Sequence, residues 1–244
     1  MGDATGALRG GIRAVNIEVA IVGHVRRTDM VMSLMSKVDP TYVMIDDGTR
    51  GCFLNHRRAW QAIANGGTPT WGVVLEDDAV PVMCFRDQLE QALAAAPSPV
   101  VSLYLGRDRP RFIQPVVRRV IEQGVEECWL TTNHMLHAVG IAIRGDLITS
   151  MLKHIEAVPA ALLPIDRAIG HWVAESLRGT VSYTWPSLVD HANLESVIDV
   201  HPDGEPRGRV LYLDDGQPIP VMSPRVAWNV GVRDRWNDSS HVLA

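Results

Sequence analysis

Cysteine is scarce and lysine almost absent in this 244-residue chain. The three cysteines, Cys52, Cys84 and Cys128, are odd in number and far apart. That excludes a disulfide framework and a close-spaced zinc motif, and it predicts a reducing, cytoplasmic setting (host cytoplasm if the gene is a phage's). Lys37 and Lys153 are the only lysines, so the basic side chains are nearly all arginine. Such a bias reflects GC-rich coding as readily as phosphate binding. No apolar run is long enough for a membrane span, and no repeat or low-complexity tract is present. A net charge of −5 excludes a general polyanion binder. No strongly basic or apolar surface helix points to a lipid-linked acceptor. Met1 to Arg13 is rich in Gly and Ala without a signal-peptide core, and is expected to be a loosely ordered lead-in (residues 1–15).

What is present reads as strands alternating with helices. Apolar runs predict strands at Ile17 to Gly23, Tyr42 to Ile45, Trp71 to Leu75, Val100 to Leu105, Met135 to Ile143 and Val181 to Trp185. Helical spacing predicts helices at Thr28 to Val38, Cys52 to Asn65, Phe85 to Ala96, Asp146 to Ile155 and Ile165 to Leu177. Beyond Arg107 the pattern loosens. Residues 199–244, rich in Pro, Gly, Asp and Arg, are expected to form loops and a short hairpin packed on the domain formed by residues 1–198. The βαβ order predicts an α/β fold, a mostly parallel sheet with helices on both faces.

Four constellations carry chemistry. Glu76-Asp77-Asp78 follows the strand Trp71 to Leu75 directly. Three adjacent carboxylates there are tolerable when solvated or when a hard divalent cation sits among them. Continued strand alternation would place Glu76 and Asp78 on one side and Asp77 on the other. Asp46-Asp47-Gly48 sits past the preceding strand, either as a plain turn or as a carboxylate pair facing a base or ribose. Asp166, near a helix start, is a cap or a general base. His191, after Asp190, is a surface histidine or a metal ligand. Arg26 and Arg27 follow the first strand, in a place suited to a diphosphate or to open solvent.

The block Gly51-Cys52-Phe53-Leu54-Asn55-His56-Arg57-Arg58-Ala59-Trp60, followed by Leu75-Glu76-Asp77-Asp78-Ala79, resembles glycosyltransferase family 25. Those enzymes carry a G-C-x-x-S-H-x-x-x-W-like helix before an L-E-D-D strand. Ile45-Asp46-Asp47-Gly48-Thr49 is similar to the V-D-D-G-S element of family 2. Both families have the GT-A fold, a Rossmann-like nucleotide-sugar domain, and the resemblance spans roughly residues 17–198.

The resemblance implies a metal-dependent, inverting glycosyltransferase using a nucleoside-diphosphate sugar, UDP-sugar favoured, with Mn2+ or Mg2+. Asp46, Asp47, Glu76, Asp77 and Arg26 would serve the donor nucleotide. Asp78 and His191 would hold the metal, and Asp166 would be the catalytic base, although Ile165 replaces the usual Glu before it. His134, His137 and Arg109 would lie on the acceptor side. The acceptor would be a glycan or a modified base in DNA, the latter drawing on Arg109, Arg111 and the alternation of Trp228 and Trp236 with Arg225, Arg233 and Arg235. Two rival classes stand beside this reading, a nucleotidyltransferase and a non-catalytic sugar-nucleotide-binding protein. The first would show a Gly-rich basic loop after strand one, which Gly23-His24-Val25-Arg26-Arg27 lacks. Intact acids at Glu76, Asp78 and Asp166 speak against the second.

Overall fold

A computed structural model of the chain describes residues 15–107, 110–124, 126–157, 163–192, 197 and 228–243. Arg109, Arg225, residues 1–14 and residues 198–227 lie outside the described residues.

The first half follows its hydrophobic periodicity closely. Strand β1 (Ile17–His24) leads through a short 3-10 turn into helix α1 (Thr28–Val38), then β2 (Tyr42–Asp46), α2 (Cys52–Gly66) and β3 (Trp71–Glu76). A short strand β4 (Ala79–Pro81) precedes α3 (Phe85–Ala95) and β5 (Val100–Ser102). The second half holds α4 (Gln114–Glu122), β6 (Trp129–Thr132), β7 (Gly140–Arg144), α5 (Gly145–Glu156), α6 (Ile165–Trp172), β8 (Val181–Thr184), β9 (Val189–His191) and β10 (Ser240–Val242).

Among the described residues, eight strands form one sheet in the order β10-β6-β8-β5-β7-β3-β1-β2. The ladders β1/β2, β1/β3, β5/β8 and β6/β10 are parallel. β7 runs antiparallel to both β3 and β5, and β6 to β8. β4 and β9 make a separate antiparallel pair beside the sheet.

Alternation along the strands splits the core into two layers. On β1, Ile17, Val19 and Ile21 pack with Val31, Leu34 and Val38 of α1 and with Phe85, Leu89 and Leu93 of α3. Ala20 and Val22 face the other way, toward Trp60 and Ile63 of α2, Ile148 and Met151 of α5, and Ile169 and Trp172 of α6. Helices therefore cover both faces, and the fold is a Rossmann-like α/β layer structure. Trp60, Trp129 and Trp172 are fully buried and supply the largest apolar areas.

Several expected boundaries move. β7 begins only at Gly140; before it Leu136 N donates to Tyr183 Oη at 2.9 Å and Val139 O accepts the Glu76 amide at 3.0 Å. β5 ends at Ser102, although Leu103 to Leu105 stay buried. α6 gives way to a π turn over Val173–Leu177. Among the described residues near the C-terminus, β10 pairs parallel with β6; the rest of the expected hairpin region lies outside the described residues.

Candidate active site

Three parallel strands, β3, β1 and β2, end at one edge; the tips of β3 and β2 carry the acids and that of β1 carries His24. This is where open α/β sheets gather ligands. Helix α2 is fixed to that edge by Asn55, whose Nδ2 donates to Gly23 O at 3.2 Å and Met44 O at 2.9 Å. Gly23 is small for a reason: a Cβ there would sit 2.5 Å from Val31 Cγ2, so glycine lets α1 close onto the end of β1.

Strand geometry stops at Glu76, and Asp77-Asp78 form a turn. The alternation expected to carry Glu76 and Asp78 to one side is therefore broken. Asp77 and Asp78 turn together onto Arg27, whose Nη1 donates to Asp77 Oδ1 at 2.9 Å and to Asp78 Oδ2 at 2.7 Å. Asp77 Oδ2 also accepts the His24 amide at 2.8 Å. Arg27 is thus the arginine that meets the acids. Arg26 is exposed, and its amide donates to His24 Nδ1 at 3.1 Å.

His191 reaches the same place from β9. Ala79 pairs with His191 across the β4/β9 ladder, and Ala192 N donates to Asp78 O at 2.8 Å. His191 Nε2 lies 3.3 Å from Asp78 Oδ2. Burial pushes Asp78 up, but His191 and Arg27 outweigh it and bring its carboxyl down to about 2. Asp77 goes the other way, raised by burial and by Asp78 beside it. Asp78 Oδ1 is buried and has no hydrogen-bond partner among the described residues.

Behind His191 lies a buried ion pair that sequence reasoning missed. Arg107 Nε donates to Asp190 Oδ1 at 3.2 Å, its Nη2 bonds Asp190 Oδ2, and the same Nη2 donates to His191 O at 2.9 Å. The two residues stand 83 apart in sequence, and nothing local signals the pair. It fixes the backbone that carries His191.

Glu76 belongs to a second cluster. Its Oε1 lies 3.2 Å from His56 Nε2 and 3.8 Å from Cys52 Sγ, both on α2. Asp166 stands at the start of α6, half-buried, with Oδ1 accepting the Arg167 amide at 2.8 Å. Burial, the main cause, and the charge of Glu76 raise the Asp166 carboxyl, against the pull of that amide and of His56. Desolvation of its sulfur, then Glu76, Asp166 and Asp78, push the Cys52 thiol well above its ordinary value. The two clusters therefore share one electrostatic neighbourhood across the tip of β3.

The other candidates are placed as follows. Asp46 is buried, and its two oxygens accept the amides of Arg50 at 3.2 Å and Gly51 at 2.8 Å, shaping the turn into α2. Asp47 is exposed and lowered by the Thr49 hydroxyl and amide, at 2.6 and 3.0 Å from Oδ1. His137 packs edge-on to Tyr104 with ring centroids 4.9 Å apart, and Tyr104 lies 6.3 Å from His191. His134 is exposed, its carbonyl accepting Tyr183 Oη at 2.8 Å and its ring edge-on to Phe112.

Of the arginine–tryptophan alternation near the C-terminus, Trp228, Arg233 and Trp236 are bonded within the fold. Arg233 donates to the carbonyls of Trp185, Glu126 and Glu127 at 2.9, 3.0 and 2.8 Å. Trp236 Nε1 donates to Gln88 Oε1 at 3.0 Å, and Trp228 Nε1 to Gln114 Oε1 at 2.8 Å. These side chains fasten residues 228–243 to α3, α4 and the β6 edge.

No protein-family model matches the chain, and a comparison with curated proteins finds no match. Among solved structures the chain is similar to A197 from STIV, with 12% identity, 77% of this chain and 92% of that chain covered, and a TM-score of 0.40. It is also similar to a glycosyltransferase involved in the glycosylation of the major capsid of PBCV-1, with 12% identity, 66% of this chain and 76% of that chain covered, and a TM-score of 0.31. Likeness at this level assigns no activity; the chemistry rests on the residues above. Among the described residues no helix is long and apolar enough to cross a membrane.

Proposed function

We propose that this chain is a glycosyltransferase that moves a sugar from a nucleoside-diphosphate sugar, UDP-sugar favoured, to a hydroxyl or amine acceptor with inversion. The observation that carries the reading is the convergence of Asp78, His191, Glu76 and Asp166 at the tip of β3, with Asp166 raised and Asp78 held ionised. Carboxylates whose environments drive their ionisation apart are suited to different roles at one site.

Asp78 and His191 fit a hard divalent cation, Mn2+ or Mg2+. They bring an oxygen and an imidazole nitrogen to within 3.3 Å, and Asp78 offers the buried Oδ1 that no group among the described residues satisfies. When bound there, the cation would supply Lewis-acid neutralisation of the departing diphosphate. Arg27 helps keep Asp78 ionised and orients both turn carboxylates beforehand. The 3-10 turn that carries it also leaves Arg26 on the surface for the outer phosphate. Asp47, exposed at the end of β2, meets the base or ribose, while Asp46 shapes the loop that presents it. Glu76 holds a sugar or ribose hydroxyl. Asp166 accepts the proton of the attacking acceptor; its raised carboxyl makes it a better base than a surface aspartate once ionised. His134 and His137 flank the acceptor side. Since Arg233, Trp228 and Trp236 are engaged within the fold, a glycan acceptor is favoured over DNA. A reducing, cytoplasmic setting suits the cysteines.

The test is turnover. Wild-type protein, Mn2+ and each common nucleotide sugar are incubated with and without simple sugar acceptors, and release of nucleoside diphosphate is measured. Release from one donor, faster with acceptor, supports the reading. Release of pyrophosphate instead would favour a nucleotidyltransferase, and no product from any donor would favour a binding protein.

A further inference from the structure

Cys52 and His56 stand four residues apart on α2, so one helical face presents both side by side. Glu76 meets them from the tip of β3. Glu76 Oε1 is 3.2 Å from His56 Nε2 and 3.8 Å from Cys52 Sγ, and one ligand atom from each of the three residues lies within 4.8 Å of the others. A tetrahedral cation with zinc-like bond lengths separates its ligand atoms by about 3.3–3.5 Å. The two measured edges straddle that span, and closing the third needs only a side-chain adjustment of Cys52, which sits at the exposed start of the helix.

We propose that Cys52, His56 and Glu76 form a second cation site, selective for a borderline-soft divalent ion of the zinc class and separate from the Asp78–His191 pair. The donor set is sulfur, imidazole nitrogen and carboxylate oxygen, which suits such an ion better than Mg2+. Desolvation and the carboxylates of Glu76, Asp166 and Asp78 hold the Cys52 thiol protonated, and a cation offsets that negative charge as it takes the sulfur. Binding converts the Cys52 S–H to a thiolate: the proton leaves to solvent, and the sulfur electron pair goes to the ion. His56 is fully buried, with Nδ1 unpartnered among the described residues, and it offers Nε2 as the lone pair when the proton resides on Nδ1. Three ligands leave a fourth position for water. Cysteine spacing alone concealed the site because its third ligand comes from β3.

The test uses the full chain and Co2+ as the probe, read by absorbance. The expected result is one equivalent of Co2+ giving a thiolate-to-cobalt charge-transfer band in the near ultraviolet, displaced by Zn2+. The band is lost in Cys52→Ser, in which Cys84 and Cys128 remain. Cobalt affinity falls at least tenfold in Glu76→Gln, and the band is retained in Asp78→Ala. Cys52 is exposed, so Cys52→Ser is expected to fold, which circular dichroism checks. No band in the wild type, a band that survives Cys52→Ser, or unchanged affinity in Glu76→Gln would each overturn the proposal. Because Asp78→Ala reports on the other pair, failure here leaves the transferase reading standing, and the reverse.

Discussion

Replacing Arg27 with Met removes a side chain that bridges both turn carboxylates. Its Nη1 makes contacts of 2.9 and 2.7 Å to Asp77 and Asp78, with side-chain exposures of only 11%, 8% and 9% for the three residues. Removing one partner from a buried ion pair costs about 3–5 kcal/mol, and the residual exposure places this case near 3. For a chain of this size that lowers the melting temperature by roughly 6–12 °C. The pH dependence carries the diagnosis. Asp78 lies depressed from 3.8 to about 2 in the folded state, so its contribution is present above the ordinary carboxylate value and is lost as pH falls toward about 2. Asp77 is raised, which has the opposite sign: its ionisation costs stability as pH rises through its folded value. Without Arg27 both acids titrate higher, so the deficit is full at neutral pH and shrinks as the solution is acidified. Urea denaturation of wild type and Arg27→Met from pH 7 down to pH 3 measures it. A deficit independent of pH would refute the electrostatic account and leave only lost packing. Added Mn2+ should recover part of the deficit at pH 7 by taking over the acids.

Three further outcomes follow from the same geometry. Asp166→Asn should cut transfer by about 10²–10⁴-fold. The wild-type rate should fall on the acid side at a pH above the usual carboxylate range, since the raised base must ionise to act, and the pH–rate profile of the variant should lack that limb. Arg107→Met strands the buried Asp190 carboxylate and should cost about 3–5 kcal/mol in urea denaturation, much of it recovered in the double variant with Asp190→Leu. Gly145→Ala would set its Cβ 1.8 Å from Pro69 O, a backbone atom, and should cost about 1–3 kcal/mol by calorimetry with donor affinity unchanged.

Elements built on strong periodicity were legible: β1, α1, β2, α2, β3 and α3 each lie within a residue or two of their hydrophobic pattern. What escaped was short or held by distant partners. β4 and β9 are three residues each and exist because they pair with one another more than a hundred residues apart. β6 and β10 depend likewise on each other, aided by Trp129 Nε1 donating to Asn237 O at 2.7 Å. α4 is amphipathic but lies beyond Arg107, where no alternation frames it. At the site the acids could be read directly, because three carboxylates after a buried strand are rare without cause. The division of labour among them could not. It turns on where β3 stops, on a 3-10 turn that chooses Arg27 over Arg26, and on the Arg107–Asp190 pair that seats His191. Asp46 shows the same limit: its position beside Asp47 says nothing of the two amides that capture it.

The central claim is that Asp78 anchors a cation-assisted nucleotide-sugar site. A thermal-shift screen of UDP-, GDP-, ADP- and CMP-sugars, each with Mn2+ and with EDTA, on wild type and Asp78→Ala tests it most directly. The account predicts one donor that stabilises the wild type only with Mn2+, by about 2.7 kcal/mol at a hundredfold excess over its Kd, with no effect on the variant. Stabilisation that persists in EDTA or in Asp78→Ala, or no stabilisation by any donor, would contradict it.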